Sequence, residues 1–194
     1  MERKIAILEP FFRSPNSNFH IREIAKLTKI SHTTIGKYLK KLERGGYLIT
    51  NPTKPYSTYR ANTESKKYLN LKLYYNLEKI RESKLIEELE KNYSYPTIVL
   101  FGSYSKAIDD EKSDIDICII SEVKSELNLK SYENIIGRPI SLHLFNNKRW
   151  KTAKQKNPNL INSICNGIVL SGQLEVLWQD SNKALSRAML RLFL

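Results

Sequence analysis

Two aspartates, Asp114 and Asp116, follow a Gly102-Ser103 pair after ten intervening residues, Tyr104 to Ser113. They open the run Asp114-Ile115-Asp116-Ile117-Cys118-Ile119-Ile120, which begins by alternating acid with apolar and ends wholly apolar. Such a run reads as a strand. Period two then sends both carboxylates to one face, with their Cα atoms about 6–7 Å apart. Oxygens so placed can converge on one hard cation or on two neighbouring ones. Without a cation or proton between them, the like charges repel. The bland alternative is a surface turn with two solvated acids. Embedding in an apolar strand, where burial is costly, argues instead for a site.

The other half of the site precedes it. Thr97-Ile98-Val99-Leu100-Phe101 is a short β-branched, apolar run and reads as a buried strand. Gly102 has no side chain, so backbone N–H groups there can approach a phosphate closely. Ser103 adds a hydroxyl, and a helix expected to start there would favour an anion at its N-terminus. Lys106 follows within reach of a phosphate chain. A phosphate cradle facing a carboxylate pair suits a nucleoside triphosphate carried with Mg²⁺.

The order strand, Gly102-Ser103, helix, Asp114-Ile115-Asp116 resembles the signature of the DNA polymerase β-like nucleotidyltransferase superfamily. GSYSKA followed by SDIDI is similar to the wording of its minimal nucleotidyltransferases, over roughly Tyr95 to the C-terminus. The resemblance implies Asp114 and Asp116 as catalytic metal ligands, Gly102, Ser103 and Lys106 as nucleotide contacts, and Mg²⁺ with NTP as cofactor and substrate. It also implies transfer of a nucleoside monophosphate to a protein or other hydroxyl acceptor, with a HEPN-like toxin as the partner such proteins modify. The family places a third carboxylate on a following strand. Pro139 to Phe145 reads as that strand, and it offers Ser141 and His143 on one face, neither an acid. Catalysis therefore stays open. The alternative is a catalytically inactive transcriptional regulator, or an antitoxin-like protein that binds a partner.

The elements around the site divide the chain into three. Residues 1–62 carry helical stripes over Arg3 to Arg13, over the stretch bearing Ile21, Ile24, Ala25 and Leu27, and over His32 to Arg44. Ser31 is a candidate N-cap and Gly45-Gly46 a stop. Tyr47 to Thr50 and Tyr56 to Arg60 read as two strands around a Pro-containing turn. Three helices and a hairpin resemble the winged helix-turn-helix of many prokaryotic regulators. In that reading the third helix enters the major groove of double-stranded DNA. His32, Thr33 and Lys37 then face base edges, Lys40 and Lys41 face phosphates, and Lys54 and Arg60 touch DNA from the wing.

Residues 63–94 have one helical pattern through Leu69, Leu73, Leu77 and Ile80, either continuous or broken near Asn76. Its broad apolar face suggests either packing on a neighbouring domain or a homodimer. Residues 95–194 hold the nucleotidyltransferase-like part, with helices around Trp150 to Lys156 and Leu160 to Asn166. Gly167 to Gly172 reads as a short break, and Ala184 to Leu194 as a closing amphipathic helix. The expected fold is thus α+β with two domains: a winged helix, then a mixed α/β nucleotidyltransferase fold with a small central sheet, joined by a long helix.

Charge supports a polyanion partner. The chain carries +12 overall, and residues 1–62 hold twelve Lys and Arg against four Asp and Glu. No apolar run approaches the length of a membrane span, so no membrane partner is expected. Cys118 and Cys165 fit neither a metal cluster nor a disulfide framework, which with the absence of a signal-peptide pattern points to a cytoplasmic setting.

Overall fold

The computed structural model describes residues 2–174; the helix expected over Ala184 to Leu194 lies outside them. Helix α1 (Glu2–Arg13) buries Ile7, Leu8, Phe11 and Phe12 along one side. Helix α2 (Ile21–Thr28) buries only Ile24 fully. Leu27, expected to face inward, is 60% exposed. It stands on the last turn, just before Lys29 turns the chain through a left-handed conformation. Helix α3 (His32–Arg44) starts at Ser31, whose hydroxyl accepts from Thr34 N, and buries Ile35, Leu39 and Leu42. Strands β1 (Leu48–Asn51) and β2 (Thr58–Ala61) pair antiparallel, with Leu48 opposite Ala61. Phe19 bridges Tyr59, which ties the segment between α1 and α2 to the hairpin. These elements share one core, to which Tyr68 and Tyr75 also belong.

The segment after the hairpin forms helices α4 (Lys66–Glu82) and α5 (Leu85–Asn92). The break falls at Ser83-Lys84, where Lys84 takes φ 64°, and not near Asn76. The buried seam of α4 is also not the leucine stripe. It runs through Tyr68, Lys72, Tyr75, Asn76 and Ile80, and the leucines flank it half-buried. Tyr68 and Tyr75 pack into the N-terminal core, whereas Ile80 packs into the core beneath the second sheet. The face that suggested a homodimer is thus largely used within the chain.

Strands β3 (Thr97–Phe101), β4 (Ile115–Ile120), β5 (Ile140–Phe145) and β6 (Ile168–Ser171) make a second sheet of order β5-β4-β3-β6. β4 runs antiparallel to β3 and parallel to β5. β6, expected as a mere break, pairs antiparallel with β3. A one-turn helix α6 (Gly102–Ser105) leaves β3, and α7 (Lys130–Ile136) precedes β5. One sheet face packs with Ile80, Leu85, Leu89 and Ile136. The other, bearing Val99, Phe101 and Cys118, is covered by α8 (Asn147–Lys156) and α9 (Pro158–Cys165) through Trp150, Ile161 and Ile164. Among the described residues, no helix is long and apolar enough to cross a membrane.

A buried polar knot joins these parts. Asp109 and Lys72 are each 1% exposed. Lys72 Nζ lies 3.2 Å from Asp109 Oδ1 and also donates to the Asp109 carbonyl. Asn76 Nδ2 donates to Asp109 Oδ1 at 2.9 Å and to the Tyr104 carbonyl at 3.0 Å. Arg138 Nη2 stands 3.9 Å from Asp109 Oδ2 and donates to the Arg13 carbonyl at 2.8 Å. A desolvated charge deprived of its partner is costly. Asp109→Ala should therefore lower unfolding free energy by about 3–5 kcal/mol. The pair Lys72→Met with Asp109→Asn should cost clearly less, both read by urea denaturation.

Burial pushes the Cys118 thiol up to about 12, with a smaller push from Cys165. Burial also raises the phenols of Tyr68, Tyr75 and Tyr104. Each of these groups keeps its proton in the folded chain at a pH where the unfolded chain has released it. Their stabilisation is complete below about pH 9 and is lost as pH rises toward 12. Lys72, lowered by burial against the pull of Asp109, acts in the opposite sense. Cys165, Tyr59, Tyr93 and Tyr132 are raised by burial as well, so the melting temperature should fall between pH 9 and 11.5. Cys118→Val should remove the earliest part of that fall, and a flat wild-type profile would contradict the assignment.

Candidate nucleotide site

Phe101 ends β3 directly opposite Asp116 of β4. Gly102 then turns the chain with φ 73°, a left-handed conformation that disfavours other residues. A Cβ on Gly102 would lie 2.2 Å from Asp116 Oδ2. The glycine is therefore required twice, by its dihedral and by the carboxylate pressed against it. Asp116 is half-buried, with Oδ1 3.5 Å from His143 Nε2. Ser141 pairs with Asp116 across β4 and β5, and its hydroxyl lies 3.5 Å from His143 Nε2. His143 packs edge-on to Phe101 at 5.0 Å between ring centroids. The bend, the carboxylate, the hydroxyl and the imidazole thus share the face and end of three adjacent strands.

Two expectations need correction. Asp114 is not in the strand: β4 begins at Ile115, and Asp114 is exposed just ahead of it. Neither acid is sealed in apolar surroundings, so the burial argument for the pair fails. What remains is one carboxylate fixed against Gly102 and a second, solvated one beside it. The helix after Gly102 is also only four residues long. A single turn sums too few peptide dipoles to act as a macrodipole, which leaves the bend's own N–H groups and the Ser103 hydroxyl as donors.

Ser103 is half-buried and Lys106 exposed. The turn from α6 to β4 is fixed by Asp109 from within and by Asp110 at its surface. Asp110 Oδ1 accepts from Lys112 N and Ser113 Oγ, both at 3.0–3.1 Å. Those bonds hold the Asp110 carboxyl below the usual carboxylate range. Among the described residues, no group of three or more His, Cys, Asp or Glu gathers in metal-ligating geometry. Two carboxylates still match Mg²⁺, which keeps several waters and takes its remaining oxygens from phosphates. The space where a Gly102 Cβ would stand is filled by the Asp116 carboxylate itself, which brings that carboxylate directly against the bend.

Residues 83–173 match the family model of polymerase β nucleotidyltransferases. The match spans 91 of the 194 residues, a little under half of the chain. No curated protein matches the chain. One solved structure, of TrmBL2, an archaeal chromatin protein that shows a novel mode of DNA binding, is similar with a TM-score of 0.26 and 15% identity, over 82% of this chain and 76% of that one. The matched stretch begins within the break between α4 and α5 and ends just after β6.

The N-terminal candidates lie on the surface. His32, Thr33, Lys37, Lys40 and Lys41 on α3, and Lys54 and Arg60 on the hairpin, are all exposed. His32 also lines a cavity of about 630 Å³ with His20, Tyr56 and Tyr59, between the start of α3 and the hairpin. The residues that sequence reasoning missed are Lys72, Asn76, Asp109 and Arg138, which fix the site's loop. Polar residues in the middle of a helical stripe look solvated, and no local signal distinguishes a buried one.

The contact between Gly102 and Asp116 yields a double-mutant test. Gly102→Ala should destabilise by roughly 1–3 kcal/mol through its positive φ, plus the displaced carboxylate. In an Asp116→Ala background the same change should cost less, because the clash is gone. Equal costs in the two backgrounds, read by chemical denaturation, would show that the carboxylate does not press on the glycine.

Proposed function

We propose that the chain is a DNA-binding nucleotidyltransferase: a winged helix-turn-helix over residues 1–62 carries a domain that binds Mg²⁺ with NTP and transfers a nucleoside monophosphate to a hydroxyl. The observation that carries the catalytic half is Asp116 held against the side-chain-free bend at Gly102. Gly102 and Ser103 hold the triphosphate through backbone N–H groups and a hydroxyl, and Lys106 extends from the same turn toward its outer phosphates. Asp114 and Asp116 would hold Mg²⁺, which supplies neutralisation of charge on the phosphates during displacement. His143, beside Asp116 and Ser141, orients an incoming hydroxyl from the β5 side of the sheet.

A second reading has a specific observation behind it. Ser141 stands opposite Asp116 where an acid would complete the site. In that reading the domain binds Mg²⁺ with NTP, or a protein partner, without turnover. Transfer of label from α-³²P-NTP to the protein or an added acceptor decides between them. Turnover should fall at least about 100-fold in Asp116→Ala. Retained nucleotide binding with no transfer from any of the four NTPs would leave the second reading.

The DNA-binding half rests on the arrangement of α1 to α3 and the β1–β2 hairpin, on seven exposed polar side chains, and on twelve basic against four acidic residues. Affinity for duplex DNA should fall steeply with salt, since each neutralised phosphate releases counterions. Replacing Lys37, Lys40 and Lys41 with Ala should shallow the log–log slope by about 2–3. A slope unchanged by the triple substitution would remove α3 from the interface.

A further inference from the structure

The tip of the hairpin and the first turn of α2 flank the cavity of about 630 Å³ that His32 also lines. Both walls are braced from behind. Phe19 and Tyr59 exchange backbone hydrogen bonds of 2.9 Å in both directions, and Asn51 Nδ2 donates to Asn18 Oδ1 at 2.6 Å. At the tip, Thr53 Oγ1 donates to the Tyr56 carbonyl at 2.6 Å. The cavity is therefore formed before anything enters it. Its volume lies in the usual range for small-molecule sites, about 300–1,000 Å³.

Its lining is of two kinds. Ile21, Pro55, Tyr56 and Tyr59 give it apolar surface. Tyr59 is buried, whereas Tyr56 is 64% exposed and belongs to none of the three hydrophobic cores. Arg22, His20 and His32 add nitrogen groups. The Arg22 guanidinium stands 5.8 Å from the centre of the Tyr56 ring. Among the described residues, no carboxylate lies within ion-pairing distance of it. Glu23 is the one acid of the lining, and its Oε2 accepts from His20 N at 2.6 Å, which turns it to the backbone.

We propose that this cavity binds a small planar aromatic carboxylate, and that its occupancy weakens the hold of the chain on duplex DNA. The ring of the ligand lies against Tyr56, Pro55 and Ile21, and its carboxylate meets Arg22. A guanidinium set over an aromatic ring keeps its edge donors free, and those donors match the two oxygens of a carboxylate. A bare phosphate, including one from a DNA backbone, would satisfy Arg22 and leave the apolar wall uncovered. A neutral ring would cover the wall and leave Arg22 without an anion. The effect on DNA follows from the cavity's place. His32 opens α3, and Lys54 directly precedes Pro55 in the wing, so the ligand sits between two parts of the surface assigned above to duplex. That effect rests on the DNA-binding reading, whereas the site itself does not.

The test uses the full chain with 2-naphthoate and its neutral counterpart 2-naphthamide, binding being read by saturation-transfer NMR. Naphthoate should bind, and the amide should bind about tenfold more weakly or less. Arg22→Gln and Tyr56→Ala should each weaken naphthoate about tenfold or more. Both side chains are exposed, so the melting temperature should stay in place. Lys148 and Arg149 supply the control, since they line a second groove, of about 590 Å³, beside α8. Lys148→Gln/Arg149→Gln should leave naphthoate binding unchanged. Equal binding of the amide, binding that survives Arg22→Gln, or loss only in the α8 pair would overturn the site. Saturating naphthoate should lower duplex affinity about tenfold. Unchanged duplex affinity would overturn the antagonism, and a chain that binds no duplex at low salt would instead remove the DNA-binding reading while leaving the site. Loss of duplex affinity in Arg22→Gln, where the wild type takes no naphthoate, would assign the cavity to a DNA phosphate and overturn the proposal.

Discussion

Everything about the site's geometry leads back to one desolvated carboxylate. Asp109 is buried in the turn between the glycine-serine bend and β4, and a charge in that position must be matched by others. The partners come from two directions: Lys72 and Asn76 from α4, and Arg138 from the approach to β5. Arg138 also reaches the last residue of α1 through the Arg13 carbonyl. Gly137, with φ 78°, lets the chain pass beside the Arg13 guanidinium, where a Cβ would stand 2.9 Å from Nη1. The loop that spaces Gly102 from Asp116 is thereby fixed to the linker helix and to the end of α1 together. A hydrophobic plug could have supplied the same stability. It would not have set the orientation of a ten-residue turn through so many directional bonds.

Given that fixed loop, the asymmetry of the carboxylate pair follows. Asp116 lies inside the sheet register and is pressed on the bend, so its position is set by β3 and β5. Asp114 lies one step outside the register, beyond the β4 residue that Pro139 caps through Ile115 N. It can turn to meet a cation without disturbing the sheet. One rigid and one adjustable ligand suit an ion that arrives with its own waters and phosphates. Ser141 and His143 add a hydroxyl and an imidazole where a third carboxylate would add charge, so the site holds less negative charge than three acids would.

Elements whose pattern is local were legible in the sequence. Thr97 to Phe101 is β-branched and bounded by glycine, and it is a strand over that same range. Ser31 and Gly45 mark the ends of α3 because capping is chemistry between near neighbours. What the sequence hid was long-range. β6 is four residues that make sense only beside β3, and read alone they resemble a glycine-bounded gap. Lys72 and Asn76 sit on a helical face that hydrophobic periodicity assigns to leucines, and they face inward because Asp109, more than thirty residues away, needs them. The Gly-Ser and Asp-x-Asp spacing was visible as a motif. The displacement of Asp114 out of the strand was not, since β4 starts where its register with Pro139 and Ile140 allows.

The distribution of charge is the remaining constraint. A net charge of +12 placed evenly would repel itself and attract any polyanion indifferently. Here the excess is divided between residues 1–62, with twelve basic against four acidic side chains, and α8 beside β5, and the remainder is close to balanced. Each basic segment is anchored by apolar packing: Ile35, Leu39 and Leu42 under α3, and Trp150 under α8. The cations are therefore held on rigid surfaces instead of flexible tails. Rigid placement costs side-chain entropy only at the tips. The knot at Asp109 meanwhile keeps the Gly102 bend in fixed relation to α4.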